Sequence, residues 1–146
     1  MPEPDTGWLL ARASHALSCA VAAVLRQQGL SLRGYVVLQG AVHRPLAQQA
    51  LAATVGLDKT TMVATVDELE QARLVERRPD PADRRVRLVA VTDAGRAALD
   101  RASALVLATE DDLLADLGDD RATLRRLLGA ALAGRLGTQP PGGSCV

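Results

Sequence analysis

Apolar residues recur at three- and four-residue steps over residues 8–28, where Leu10, Ala13, Leu17, Ala20, Val21 and Val24 share one side. That spacing predicts an amphipathic helix of about five turns, stopped by Gly29. Residues 32–42, "LRGYVVLQGAV", predict a shorter helix, although the Val36–Val37 pair also suits a strand. A third helix is expected over 44–56, with Pro45 in its first turn and Gly56 as its stop. Asp58 stands where it can cap a fourth, whose inward stripe is Met62, Val66 and Leu69.

The period changes at Leu74. "LVERR" and "VRLVAV" are β-prone and flank "PDPAD", whose prolines forbid both a helix and a continuous ladder. A hairpin with a long tip is the expectation. Residues 92–117 return to helix behind Thr92 or Asp93, with Leu99, Ala102 and Val106 along one side. A last helix is expected from near Asp119 to 136, its acids early and its arginines later, as the macrodipole favours. Residues 1–7 and the Gly/Pro tail 137–146 are expected to be disordered. No internal repeat is visible. The pattern is mainly α with a small β-hairpin wing, and a helix-turn-helix running straight into a wing is a DNA-reading arrangement.

Composition narrows this little. The chain has 146 residues, 48% hydrophobic and 23% charged, enough for one domain with a real core. Its aromatics are Trp8 and Tyr35, so the core must be Leu, Val and Ala, which suits packed helices. No unbroken apolar run approaches the roughly 18 residues that span a bilayer. "MPEPDTGW" lacks the positive start of a signal peptide. Cys19 and Cys145 are too few for a disulfide scaffold, which favours a reducing compartment. Cytoplasmic location is the expectation, with no membrane partner.

Charge distribution says more than the net charge of zero. From Arg77 to Arg87, five arginines stand against Asp80 and Asp83, a local balance of +3. From Glu110 to Asp120 there are six acids and no base. An arginine-rich turn can neutralise phosphates or send one guanidinium into a narrow minor groove. Asp83 and Arg85 are two apart across the tip, where the carboxylate can hold the guanidinium in one pose. A solvated edge guarded against aggregation is the plain alternative. The helix-turn-helix just upstream favours DNA.

These residues carry a resemblance. "LVERRPDPADRRVRLVAVTDAGR" is similar to the wing of the MarR family of bacterial transcription regulators, whose signature is Asp-x-Arg, five residues, Leu-Thr, two residues, Gly. Here those places hold Asp83, Arg85, Val91, Thr92 and Gly95, with Val for Leu the one departure. "VGLDKTT" (55–61) resembles the entry to the family's recognition helix, and "LSLRGYVVL" (30–38), with Tyr35, its second helix. The likeness runs over residues 8–136. It implies a winged helix-turn-helix domain (31–92) between dimerisation helices (8–30 and 93–136). A homodimer would then present two wings and recognition helices to a pseudo-palindromic double-stranded operator. Arg85 would enter the minor groove, Asp83 would orient it, and Arg84 would contact a phosphate; Arg87 is a further DNA-binding candidate.

Departures bear on specificity. With Met62, Val66 and Leu69 inward, Thr60, Thr61, Ala64, Thr65 and Glu68 are expected to face out. Relatives often carry arginine at the place of Ala64, a basic residue at that of Glu68 and a helix-ending glycine at that of Arg73. Base reading therefore falls to Lys59, Thr60, Thr61 and Thr65, which discriminate less than a bidentate arginine. His15 and Cys19 are one turn apart, read as a polar interface histidine beside a small buried thiol rather than a metal pair or a histidine-activated thiol. The family's peroxide-sensing cysteine falls near Gly7 and Trp8 in this chain, so redox sensing is not implied by Cys19. No metal set, cofactor motif or nucleophile–base pair is visible, and no enzyme activity is expected. Many relatives answer to small phenolic anions, and Trp8, His15, Tyr35 and His43 are the candidate effector crevice here. The expected function is a dimeric, sequence-specific repressor released by a small aromatic or anionic effector. The alternative is a dimeric winged-helix interaction module that has lost operator binding.

Overall fold

Side-chain caps set most boundaries. In the computed structural model, which describes residues 3–137, Asp5 Oδ1 accepts the Trp8 N–H at 2.8 Å and starts α1 (Thr6–Gln27). Residues 6 and 7, expected to be disordered, are therefore helical; residues 1–2 and 138–146 lie outside the described part. Ser31 caps α2 (Leu32–Ala41) through Gly34 N at 3.0 Å, and Val37 is fully buried while Val36 is partly so. The helical alternative holds there. Pro45 does not open a helix: residues Leu46–Ala47 form a short strand, β1, and α3 begins only at Gln48 and ends at Val55. Two residues are too few to show a strand period, and only pairing with a distant segment makes β1 visible.

Asp58 caps α4 (Lys59–Gln71) as expected. The helix ends on Arg73, whose φ of 60° is the left-handed conformation usually left to glycine, and Leu74 N donates back to Leu69 O at 2.9 Å. β2 (Val75–Pro79) and β3 (Arg87–Val91) pair antiparallel from Val75↔Val91 out to Pro79↔Arg87. β1 pairs on the other side of β3, Leu46 opposite Val89, so the sheet has order β1–β3–β2 rather than being a lone hairpin. Pro79 sits at the far end of an edge strand, where its missing N–H removes no ladder bond.

Thr92 caps α5 (Asp93–Leu113) through Gly95 N at 3.0 Å. The predicted helix to 117 breaks at Leu114 into a 3-10 turn, Ala115–Leu117, and α6 spans Asp120–Ala133. One core joins α2, α3, α4 and the sheet to the C-terminal half of α1 and to Leu99, Ala102 and Val106 of α5, with Leu25, Leu38, Leu51, Met62, Val66 and Val89 at its centre.

The terminal helices lack such cover. Trp8, Leu9 and Leu10 on α1, Leu105, Leu107 and Leu113 on α5, and Leu127, Leu128 and Leu132 on α6 are exposed, Leu132 by 60%. An 18-residue window of α1 has mean hydropathy 1.5 and is 11% buried, so by length and composition this helix is apolar enough to cross a membrane. The expectation concerned an unbroken apolar run, and α1 does not contain one. Arg12, Ser14 and His15 interrupt the apolar run without lowering the average below that level.

Candidate nucleic-acid interface

The start of α4 is built around one carboxylate. Asp58 Oδ1 accepts Thr61 N–H at 2.9 Å and its Oδ2 accepts the Thr61 hydroxyl at 2.6 Å. The Thr61 side-chain bond, then its backbone bond, hold the Asp58 carboxyl below the ordinary carboxylate value. Thr61 is thereby committed to the cap, and its hydroxyl donates inside the protein. Thr65 is a correction: expected to face outward, it is 2% exposed and its hydroxyl donates to the Thr61 carbonyl at 2.7 Å. The inward stripe is wider than Met62, Val66 and Leu69 alone, and a threonine that bonds its own backbone fits within it. Lys59, Thr60, Ala64 and Glu68 do face out, joined by Val63, which the sequence reading passed over. A count of helical positions on the side opposite Met62 and Val66 finds it.

At the wing tip the two aspartates act on backbone. Asp80 Oδ1 accepts Ala82 N–H at 2.8 Å, and Asp83 Oδ1 accepts Arg85 N–H at 3.0 Å. Val86 N donates to Asp83 O, and Asp80 N donates to Val86 O, both at 2.9 Å. Asp83 thus fixes the residue that carries Arg85 rather than gripping its guanidinium, a correction to the pose expected from spacing. Among the described residues, Arg84, Arg85 and Arg87 are exposed and no carboxylate pairs with them.

The other two arginines of the cluster have protein partners. Arg78 pairs with Glu76 on the same strand. Arg77 reaches across to α4, its guanidinium 2.5 Å from Asp67 and 2.5 Å from Glu70, while its own N–H donates to Glu70 Oε1 at 3.1 Å. Partial burial works against its charge, but the bonds to Asp67 and Glu70 outweigh that and raise its pKa. The wing and the recognition helix are tied into one unit.

The base of the wing explains the rest of the signature. Thr92 Oγ1 lies 2.8 Å from Arg73 O and 3.1 Å from Leu74 O and accepts Gly95 N–H, so one hydroxyl joins the end of α4, the start of β2 and the start of α5. A Cβ on Gly95 would stand 2.0 Å from the Leu74 carbonyl oxygen. Only glycine fits.

The candidate effector residues are not brought together. Tyr35 is buried, its hydroxyl held by Gln39 Nε2 at 2.9 Å, and it borders a cavity of about 180 Å³ whose lining is mostly apolar but includes Ser18 and Glu110. Trp8 and His15 lie on the uncovered half of α1, and His43 is exposed beyond α2. Cys19, expected to be buried, is exposed in the single chain, with His15 Nε2 3.7 Å from its sulfur. Among the described residues no three potential ligands cluster as a metal site would require.

A model of the MarR family matches residues 28–86. A protein assigned as transcriptional regulator of the hcr operon in Thauera aromatica is 35% identical over 103 residues, which cover 69% of this chain but only 62% of that relative. The chain therefore spans less than two thirds of that curated relative. CouR from Rhodococcus jostii RHA1, solved with p-coumaroyl-CoA, is 37% identical, superposes with a TM-score of 0.77, and is covered to 93% by 90% of this chain. A CouR repressor solved on a 23-mer DNA duplex is 31% identical with a TM-score of 0.78, over 88% of this chain and 92% of that one. The winged helix, its tied wing and the likeness over nearly the whole of CouR place this chain in the MarR family of transcriptional regulators.

Proposed function

We propose that the chain is a dimeric, sequence-specific DNA-binding regulator, a repressor released by a small-molecule effector and working in the cytoplasm, where its operator lies. One observation carries this reading. Arg84, Arg85 and Arg87 are exposed, without carboxylate partners among the described residues, on a wing whose tip is fixed by Asp80 and Asp83 and whose strand is fastened to α4. Unpaired cations on a rigid hairpin neutralise phosphates with little rotamer cost, and one can enter the minor groove. We assign Arg85 to the minor groove, Arg84 and Arg87 to the backbone, and Lys59 and Thr60 to the major groove; Thr61 acts through the cap and Thr65 is withdrawn.

The uncovered leucines of α1, α5 and α6 supply the second half of the reading. Apolar area left in water costs about 25 cal/mol per Å², and so long an exposed strip marks a partner surface. A second copy is the occupant we assign, which also accounts for α1 without a membrane. The solved CouR complexes, with DNA and with an acyl-CoA, support operator binding and release by an anionic aromatic effector. The cavity beside Tyr35 is the place we assign to the effector's aromatic part, since Glu110 in its lining disfavours the anionic group there.

A non-binding interaction module is the second reading, favoured by Ala64 and Glu68 on the outer face of α4. A gel-shift titration against DNA flanking the chain's own gene separates the two. Salt-sensitive, saturable retardation at nanomolar protein supports the repressor; no preference over random duplex supports the module.

A further inference from the structure

The outer face of α4 carries an apolar pair where bases would be read. Among the described residues between 28 and 92, Val63 is the one large hydrophobic side chain left exposed, at 37%, and Ala64 beside it is also exposed. Every other exposed large hydrophobic lies on the terminal helices or the turns that follow them. At 100° per residue, Thr60, Val63, Ala64 and Asp67 form the stripe opposite buried Met62, Val66 and Leu69. Two of those four are apolar. Asp67, which would repel phosphate, is paired with Arg77. The stripe carries no arginine or lysine, the side chains that meet guanine bidentately: Ala64 is short, and Lys59 stands one position before Thr60, off the stripe's centre.

We infer that Val63 and Ala64 are specificity-determining residues that read the C5 methyl groups of thymine in the major groove, making the half-site one of consecutive A·T pairs. This rests on the reading of the chain as an operator-binding regulator. In the major groove the thymine methyl is the one apolar feature a base pair presents. An exposed valine inserted there buries methyl against methyl and removes water from both. Short side chains also let the helix backbone approach the base edges closely. Thr60, on the same stripe, has both a methyl and a hydroxyl and can meet either base of an A·T pair. Glu68, at the margin of the stripe, disfavours phosphate and keeps the helix centred on the bases.

The test uses the full-length protein and a duplex enriched from a random pool by repeated binding. Each thymine of the half-site is replaced in turn by deoxyuridine, which removes the methyl and leaves base pairing intact. Wild type should bind about fourfold more weakly for each methyl lost under α4, the factor expected for burying one methyl-sized group. Deoxyuridine beneath the wing should change nothing, because that methyl points into the other groove. In Val63→Ala, whose melting temperature serves as the fold control, the deoxyuridine penalty at one position should shrink by more than half. Equal wild-type affinity for thymine and deoxyuridine duplexes, with tight sequence-selective binding retained, overturns the methyl-reading inference and leaves the regulator intact. Failure to enrich any duplex overturns the operator-binding reading itself.

Discussion

The Arg77 guanidinium lies 2.5 Å from Glu70, so the first arginine of the wing is fastened to the recognition helix instead of facing DNA. Its second contact, to Asp67 at the same distance, neutralises an acid on the helix's outer face. An arginine cluster legible as one feature in the sequence is two: Arg77 and Arg78 hold the protein, while Arg84, Arg85 and Arg87 are left for a ligand. Arg77→Ala should lower stability by about 1 kcal/mol, a modest value because both carboxylates are partly in water. It should also weaken operator binding, since Asp67 becomes an uncompensated charge and the wing loosens. Urea unfolding and operator titration measure the two effects; unchanged binding with lowered stability would show that the link is structural only.

Arg85→Ala should cost roughly 1–3 kcal/mol of operator binding, about the value of one good base-edge contact. Arg84→Ala should weaken all duplexes alike and reduce the salt slope by about one unit. Because Asp83 accepts the Arg85 backbone N–H, Asp83→Asn, which keeps the acceptor, should bind nearly as well as wild type, and Asp83→Ala should not. The losses of Asp83→Ala and Arg85→Ala should fail to add. Full affinity in Arg85→Ala at two salt concentrations would mean that the wing does not read DNA.

Gly95→Ala should destabilise by about 3 kcal/mol, at the upper end for overpacking, because the clash is with backbone that cannot rotate away. The contact is the Leu74 carbonyl, 2.0 Å from the added carbon. Thermal melting checks it, and a melting point unchanged within a degree would contradict the close approach.

The assembly should sediment at twice 15.3 kDa at micromolar concentration. Leu132, 60% exposed in the single chain, should tolerate aspartate without loss of helix content, yet Leu132→Asp should shift the species toward monomer and abolish operator binding. A wild-type monomer that still binds DNA tightly would refute dimerisation through α1, α5 and α6.

Acid should loosen the recognition helix first at its cap. The folded-state pKa of Asp58 is lowered from 3.8 by its bonds to Thr61. A depressed carboxyl pKa contributes stability that is fully present above the unfolded value and is lost as pH falls through the folded one. The stability difference between wild type and Asp58→Ala should therefore be constant at neutral pH and shrink below about pH 3.8, the unfolded reference. Asp58→Asn, which still accepts from Thr61 N–H, should remove the pH dependence while keeping most of the cap. Denaturant titrations of the three proteins at neutral pH and in acid decide it.

Local chemistry determined much of this protein from the sequence alone. Asp58 and Thr92 cap the helices they precede because a short side-chain acceptor satisfies an orphan N–H wherever it stands. Periodicity placed Leu99, Ala102 and Val106 on the buried side of α5, and the wing signature identified the family. Contacts between distant segments were settled only by tertiary structure. β1 exists because β3 offers an open edge to Leu46 and Ala47, and two residues carry no period of their own. Thr65 turns inward because the α4 face that meets the core is wider than its three large apolar residues. Arg77 differs from Arg85 only in what stands opposite: ten residues back along the chain, Asp67 on α4 comes within an ion pair's reach, and no spacing rule reports a meeting that depends on how a helix packs against a strand.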